Sequence, residues 1–181
     1  MTPRHWQRPS IVPACLQALG VGVMLWVCCA AVVAQELTPW PKGPTPPLTL
    51  TDQRGTHHTL SAYRGRVVLV NFWATWCEPC REEMPALQAL QNKLGQERFV
   101  VLAVNYGEAP EKVQQFMHTM PVAFPMLLDR HTEAAKAWQV RILPTSFVLG
   151  QDGQIRYRAV GMLDWGEAQV VKLLTALALR P

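Results

Sequence analysis

The chain is 181 residues long, enough for one domain of ordinary size with a leader, and too short for two full domains. Apolar residues make up 49% and charged residues only 17%, so a core can form and wholesale disorder is excluded. The net charge is +4; with Arg4 and Arg8 set aside, 15 basic residues face 13 acidic ones, too mild an excess for a nucleic-acid or polyanion binder.

Residues 1–34 contain no Asp or Glu. Arg4, His5 and Arg8 come first, and Ala18 to Ala34 then runs without a charge. A basic start, an apolar middle and small residues at the end are the pattern of a secretory signal. Val32-Val33-Ala34 before Gln35 suits a signal peptidase, whereas Val27 and Cys28 fit a lipoprotein site poorly. The apolar run also reaches the lower edge of bilayer-spanning length, so an uncleaved N-terminal membrane anchor stays open beside a cleaved signal peptide. Either way Arg4 and Arg8 stay cytoplasmic and the remainder is sent across, to a periplasmic or extracytoplasmic location. Residues 35–47 read as a linker. Thr38 to Pro47 (TPWPKGPTPP) is half proline, which fixes φ and donates no N–H, so the reading is an extended, solvated stalk reaching ~30 Å. The folded domain spans residues 48–181.

Leu48 to Leu60, with Gly55 in the middle, reads as a hairpin. Val67 to Trp73 (VVLVNFW) is an almost continuous apolar, β-branched run, as in a strand buried on both faces of a parallel sheet. Arg81 to Leu94 reads as a helix, with Leu87, Leu90 and Leu94 three and four apart and Gly95 as its stop. Phe99 to Asn105 is a second buried strand. Short helices are expected at Glu111 to Met120 and Thr132 to Trp138, with a strand at Phe124 to Asp129 between them. Ser146 to Leu149 and Ile155 to Val160 form strands linked through the turn-rich Gly150-Gln151-Asp152-Gly153. A final helix spans Trp165 to Leu179, with Val170, Val171, Leu174, Leu177 and Ala178 as its apolar stripe.

Of the five cysteines, Cys15, Cys28 and Cys29 lie in the leader. Cys77 and Cys80 remain, in Cys77-Glu78-Pro79-Cys80 at the passage from strand to helix, where open α/β sheets place their functional sites. A structural zinc site needs four ligands, and no second pair exists; His57 and His58 are adjacent and point to opposite faces of a strand. A structural bridge between i and i+3 closes too small a loop to constrain the unfolded chain. A redox-active pair is the stronger reading.

On VVLVNFWATWCEPCREEMP (Val67 to Pro85), LPTSFVL (Leu143 to Leu149) and LTLTDQRGTHHTLSAYRGR (Leu48 to Arg66), the sequence resembles the TlpA/ResA-like thiol-disulfide oxidoreductases of the thioredoxin superfamily. The resemblance implies an α/β thioredoxin-like fold: a central mixed sheet, an N-terminal β-hairpin extension, an inserted helical element and a cis peptide before Pro144. It also implies an enzyme working through a redox-active Cys77–Cys80 disulfide, with no cofactor and no metal. Cys77 is the attacking thiolate, favoured by the helix N-terminus, and Cys80 resolves the mixed disulfide. The resemblance also implies that Glu83, three residues after Cys80 and on the same helical face, assists the proton traffic of the cysteines, with a raised pKa if it is buried; otherwise it is a solvated helix acid like Glu82. Glu78 and Pro79 tune the couple, although Glu78 equally suits an ordinary first-turn acid. Trp76, Leu143 and Pro144 border the substrate, with Trp76 alternatively a packing residue.

The resemblance implies reduction of protein disulfides outside the cytoplasm, serving cytochrome c maturation or a related cysteine-site assembly. It makes apocytochrome c one candidate client and a membrane thiol carrier the expected electron donor. Two other readings compete. A copper chaperone would hold Cu(I) on the two thiolates. A thiol peroxidase of the peroxiredoxin type shares the fold, but such enzymes carry Thr three residues before the reactive cysteine, where this chain has Ala74.

Overall fold

The computed structural model describes residues 36–41 and 43–179, so the leader and the three cysteines within it lie outside the described residues. Among the described residues, eight strands and four α-helices follow in chain order: β1 (Thr38–Pro39), β2 (Thr49–Thr51), β3 (His57–Thr59), β4 (Val67–Trp73), α1 (Glu78–Leu94), β5 (Phe99–Tyr106), α2 (Pro110–Thr119), β6 (Met126–Asp129), α3 (Glu133–Ala137), β7 (Thr145–Leu149), β8 (Ile155–Val160) and α4 (Ala168–Leu179). Six strands make one mixed sheet in the order β1-β8-β7-β4-β5-β6. β4, β5 and β6 run parallel, while β7, β8 and β1 are added antiparallel.

β4 lies inside this sheet and is buried along its whole length, hence the unbroken apolar run in its sequence. Its side chains alternate between two cores. Val67, Leu69 and Trp73 meet Met84, Leu87 and Leu90 of α1 and Val170, Leu174 and Ala178 of α4. Val68, Val70 and Phe72 face the opposite core, with Leu48, Tyr63, Ala135 and Trp138. Asn71 is the polar exception, fully buried on the α1 side. α1 ends at Gly95, whose φ of 81° favours a residue without Cβ. Pro85 sits inside α1 without ending it.

β2 and β3 form a separate two-stranded sheet with Leu50 opposite His58. It is fastened to β6 by Gln53, whose N–H donates to Met126 O (3.1 Å) and whose Oε1 accepts from Met126 N (3.1 Å). Asp52, His58 and Tyr63 tie the hairpin together: His58 Nε2 meets Asp52 Oδ2 at 3.1 Å, and its Nδ1 is hydrogen-bonded to Tyr63 Oη.

The proline-rich segment departs from the solvated stalk expected of it. It is extended, but it is docked on the domain. β1 pairs with β8 (Thr38 opposite Arg158), and Trp40 N donates to Arg156 O at 2.8 Å. The Trp40 ring stands edge-on to Phe147, with the Arg158 guanidinium 5.5 Å from its centroid. Thr45 Oγ1 accepts from Ile155 N, and Pro47 O accepts from Trp138 Nε1. The prolines suit this edge position because an outer strand need not donate on both sides. α4 also starts later than expected, at Ala168, and Trp165 is buried ahead of it. Among the described residues no helix is long and apolar enough to cross a membrane.

Candidate active site

The parallel strand β4 delivers the chain at its carboxyl end into Ala74-Thr75-Trp76, and Cys77 then caps α1 with extended backbone (φ −89°, ψ 102°). Cys77 is joined to Cys80 by a disulfide. Cys77 is 6% exposed and Cys80 0%, so of the two cysteines only Cys77 reaches solvent. The N–H groups of the first turn have no intrahelical acceptor, and their positive end favours a thiolate on Cys77 once the bond is reduced.

Pro79 occupies the first turn, where its missing N–H costs nothing. Glu78 is an exposed acid whose Oε2 accepts from Arg81 Nη1 at 2.9 Å, a surface pair worth well under ~1 kcal/mol.

Glu83 follows Cys80 by one helical turn, on the same face, and is 3% exposed. Its Oε1 accepts from Asn71 Nδ2 at 2.6 Å and its Oε2 from Trp165 Nε1 at 3.1 Å. Asn71 Nδ2 also donates to Ser146 Oγ at 3.0 Å, linking β4, β7 and α1. Burial raises the Glu83 pKa to about 7, and the Trp165, Asn71 and Leu163 N–H donors hold it from rising further. Glu83 is thus a buried carboxyl that titrates near neutrality, one turn from the buried Cys80.

Antiparallel pairing sets Phe72 of β4 opposite Thr145 of β7, so Leu143 and Pro144 arrive beside the loop that leads into Cys77. The Leu143–Pro144 peptide is cis; Pro144 is buried and Leu143 half-buried. Trp76 is 63% exposed, which favours a rim over simple packing. Two neighbours share this character: Ile142, just before Leu143, which stands where relatives of this kind commonly carry glycine, and Met162, missed by the sequence reading, next to Gly161, whose N–H donates to Pro144 O. Among the described residues, three of the four exposed large hydrophobic side chains thus belong to the loops at the disulfide end of the sheet.

Glu108 was also missed. It is buried behind the cysteine loop and bonded to Thr75. A signal for it exists in the sequence: Asn105 closes an otherwise apolar strand and, once buried, needs a polar partner. Among the described residues, no three His, Cys, Asp or Glu side chains converge as a metal site requires.

Residues 41–158 match the AhpC/TSA family. The chain is 37% identical over 118 residues to the thiol-disulfide oxidoreductase ResA of Geobacillus kaustophilus, covering 65% of this chain and 68% of that one. It is 33% identical over 141 residues to ResA of Bacillus subtilis, covering 74% and 79%. A Chlorobium tepidum crystal structure, provisionally named thiol:disulfide interchange protein DsbE, superposes with a TM-score of 0.70 at 26% identity, covering 79% of this chain and 99% of that one.

Proposed function

The chain belongs to the AhpC/TSA family and to the TlpA/ResA-like thiol-disulfide oxidoreductases of the thioredoxin superfamily, and on that premise we propose that it reduces disulfides of client proteins outside the cytoplasm. The observation that carries this reading is the Cys77–Cys80 disulfide at the α1 N-terminus with buried Glu83 one turn further on.

In the reduced enzyme the Cys77 thiolate attacks one sulfur of the client disulfide. The client S–S bond breaks, a Cys77–client mixed disulfide forms and the first client thiolate leaves. Cys80 then gives up its proton and attacks Cys77 Sγ. The mixed disulfide breaks, the second client thiolate leaves, and the Cys77–Cys80 disulfide of the structure results. The enzyme loses two electrons and two protons, and the client gains both. In this reading Glu83 takes the Cys80 proton, supported by its burial one turn further along α1 and a pKa of about 7, near which a carboxylate accepts and releases a proton. Trp76, Leu143 and Pro144 border the path by which an extended client segment approaches, joined by Ile142 and Met162. Pro79 and Glu78 set the local chemistry around Cys77.

The clients in this reading carry a disulfide or a Cys-x-x-Cys segment, apocytochrome c among them, and a membrane thiol donor restores the dithiol. The basic, then apolar N-terminal residues 1–34 support export, as a cleaved signal peptide or a retained anchor. The proline-rich 35–47 then joins leader to domain, docked along β8 for the part described.

A peroxidase reading has less support. The position three before Cys77 is Ala74, buried and without a hydroxyl, and the Thr75 hydroxyl is already donated to Glu108. The test is reduction of insulin by the purified protein with dithiothreitol as donor. Insulin should precipitate much faster than with dithiothreitol alone. No acceleration, with Cu(I) retained by the reduced protein, would replace this reading by the copper chaperone.

A further inference from the structure

The loop between β4 and Cys77 carries the reacting sulfur, yet little backbone holds it. Strand pairing of β4 with β5 stops at Trp73 opposite Asn105. Within the loop, Cys77 N donates to Ala74 O at 3.2 Å. Among the described residues, the one side chain that hydrogen-bonds residues 74–76 is Glu108. It stands just beyond β5, after Gly107, whose φ of 71° turns the chain back toward the sheet.

Glu108 is 7% exposed. Its Oε2 accepts from Thr75 N (2.7 Å) and Asn105 Nδ2 (2.8 Å), and its Oε1 from the Thr75 hydroxyl (2.6 Å). Lys112 Nζ lies 3.4 Å from Oε1. Burial alone would raise its pKa, but the Thr75, Asn105 and Lys112 donors outweigh that and lower it, so the group is a carboxylate with its lone pairs filled. The side chain thus continues the β4–β5 pairing one step past its backbone end and fastens Thr75, two residues before Cys77.

While the disulfide is closed, Cys77 is also held covalently to α1. When it opens, the side-chain tether is gone; the helix-capping bond from Arg81 N to Cys77 O (3.2 Å) and the grip of Glu108 on Thr75 remain. We propose that Glu108 is a positioning residue of the dithiol chemistry: through Thr75 it holds the loop bearing Trp76 and Cys77 in place while the Cys77–Cys80 bond opens and closes. This rests on the oxidoreductase reading for its purpose, but not for its test. A loosened loop lowers the effective concentration of Cys77 at Cys80, so the intramolecular disulfide forms less readily.

Thr75→Val removes one hydroxyl bond and no charge, Thr75→Ser keeps that bond, and Glu108→Gln places an amide donor against the Thr75 donors. Each variant is equilibrated with dithiothreitol, and the alkylation rate of Cys77 in the reduced protein is followed against pH. Thr75→Val and Glu108→Gln should shift the equilibrium toward the dithiol by about fivefold, a change of about 20 mV at ~30 mV per tenfold. Thr75→Ser should stay within twofold of wild type, and the oxidised Thr75→Val protein should melt near the wild-type temperature. Equilibria within twofold for both Thr75→Val and Glu108→Gln, or Thr75→Ser impaired as much as Thr75→Val, would overturn the proposal. If Glu108→Gln fails to fold, the two Thr75 variants decide alone. Neither readout needs a client, so a failed insulin assay leaves this result separately legible.

Discussion

Glu83 should make the oxidised protein less stable as pH rises through neutrality. In the unfolded chain its carboxyl titrates at its ordinary 4.5; in the fold, burial moves it to about 7. The native state therefore holds a proton that the unfolded state has released, and stability falls with pH between those two values. The Glu83 contribution is fully present below 4.5, is lost as pH rises through about 7, and is flat above. At ~1.4 kcal/mol per pH unit, the loss is about 3 kcal/mol. Glu83→Gln removes the titration. Its amide gives up one of the two acceptors used by Asn71 and Trp165, a cost that does not change with pH. The assay is thermal unfolding of oxidised wild type and variant from pH 4.5 to 8. The variant's stability relative to wild type should climb by about 3 kcal/mol over that range, a relative midpoint gain of about 6–12 °C for a domain of this size. In the reduced protein the same substitution should alter the pH dependence of Cys77 alkylation. Stability curves that run parallel would show that Glu83 titrates as an ordinary surface acid.

Trp165→Phe removes a donor to the charged form of Glu83, so the Glu83 pKa should rise by about one further pH unit, read by carbon NMR of its carboxyl; an unchanged or lower value would contradict the assigned bond. Trp40→Ala strips the docked N-terminal segment of its contacts with Phe147 and Arg158 and should cost about 2 kcal/mol in urea unfolding; a loss below ~0.5 kcal/mol would mean that segment holds nothing. A reporter fused after Pro47 should be active only outside the cytoplasm; activity inside would sink the proposed location.

The parts of the fold legible in the sequence are those whose pattern is local. β4 and β5 read as buried strands because both faces are covered and no polar face interrupts them. The cysteine pair read as a redox site because the strand-to-helix passage around it is written in contiguous residues. What escaped depends on partners distant in the chain. Thr38 to Pro47 looks solvated until Arg158, Phe147 and Ile155 are brought beside it. Trp165 carries the helical period but is taken by Glu83, 82 residues earlier, which leaves the helix to start at Ala168. Glu108 looks like a loop acid, and only the approach of Thr75 makes it a buried anchor. Asn71 and Asn105, each inside an apolar strand, were the available hints, because a buried amide requires partners.

The central claim is that Cys77 attacks and Cys80 resolves, and trapping tests it most directly. Each single Cys→Ser variant is reduced, mixed with a protein disulfide at neutral pH, quenched with acid and run on a non-reducing gel. Cys80→Ser should accumulate a mixed disulfide through Cys77, because attack proceeds and resolution cannot. Cys77→Ser should trap nothing and reduce nothing, since Cys80 is buried at 0% exposure behind the first turn of α1. Adducts on Cys77→Ser instead, or undiminished reduction by both variants, would contradict the account.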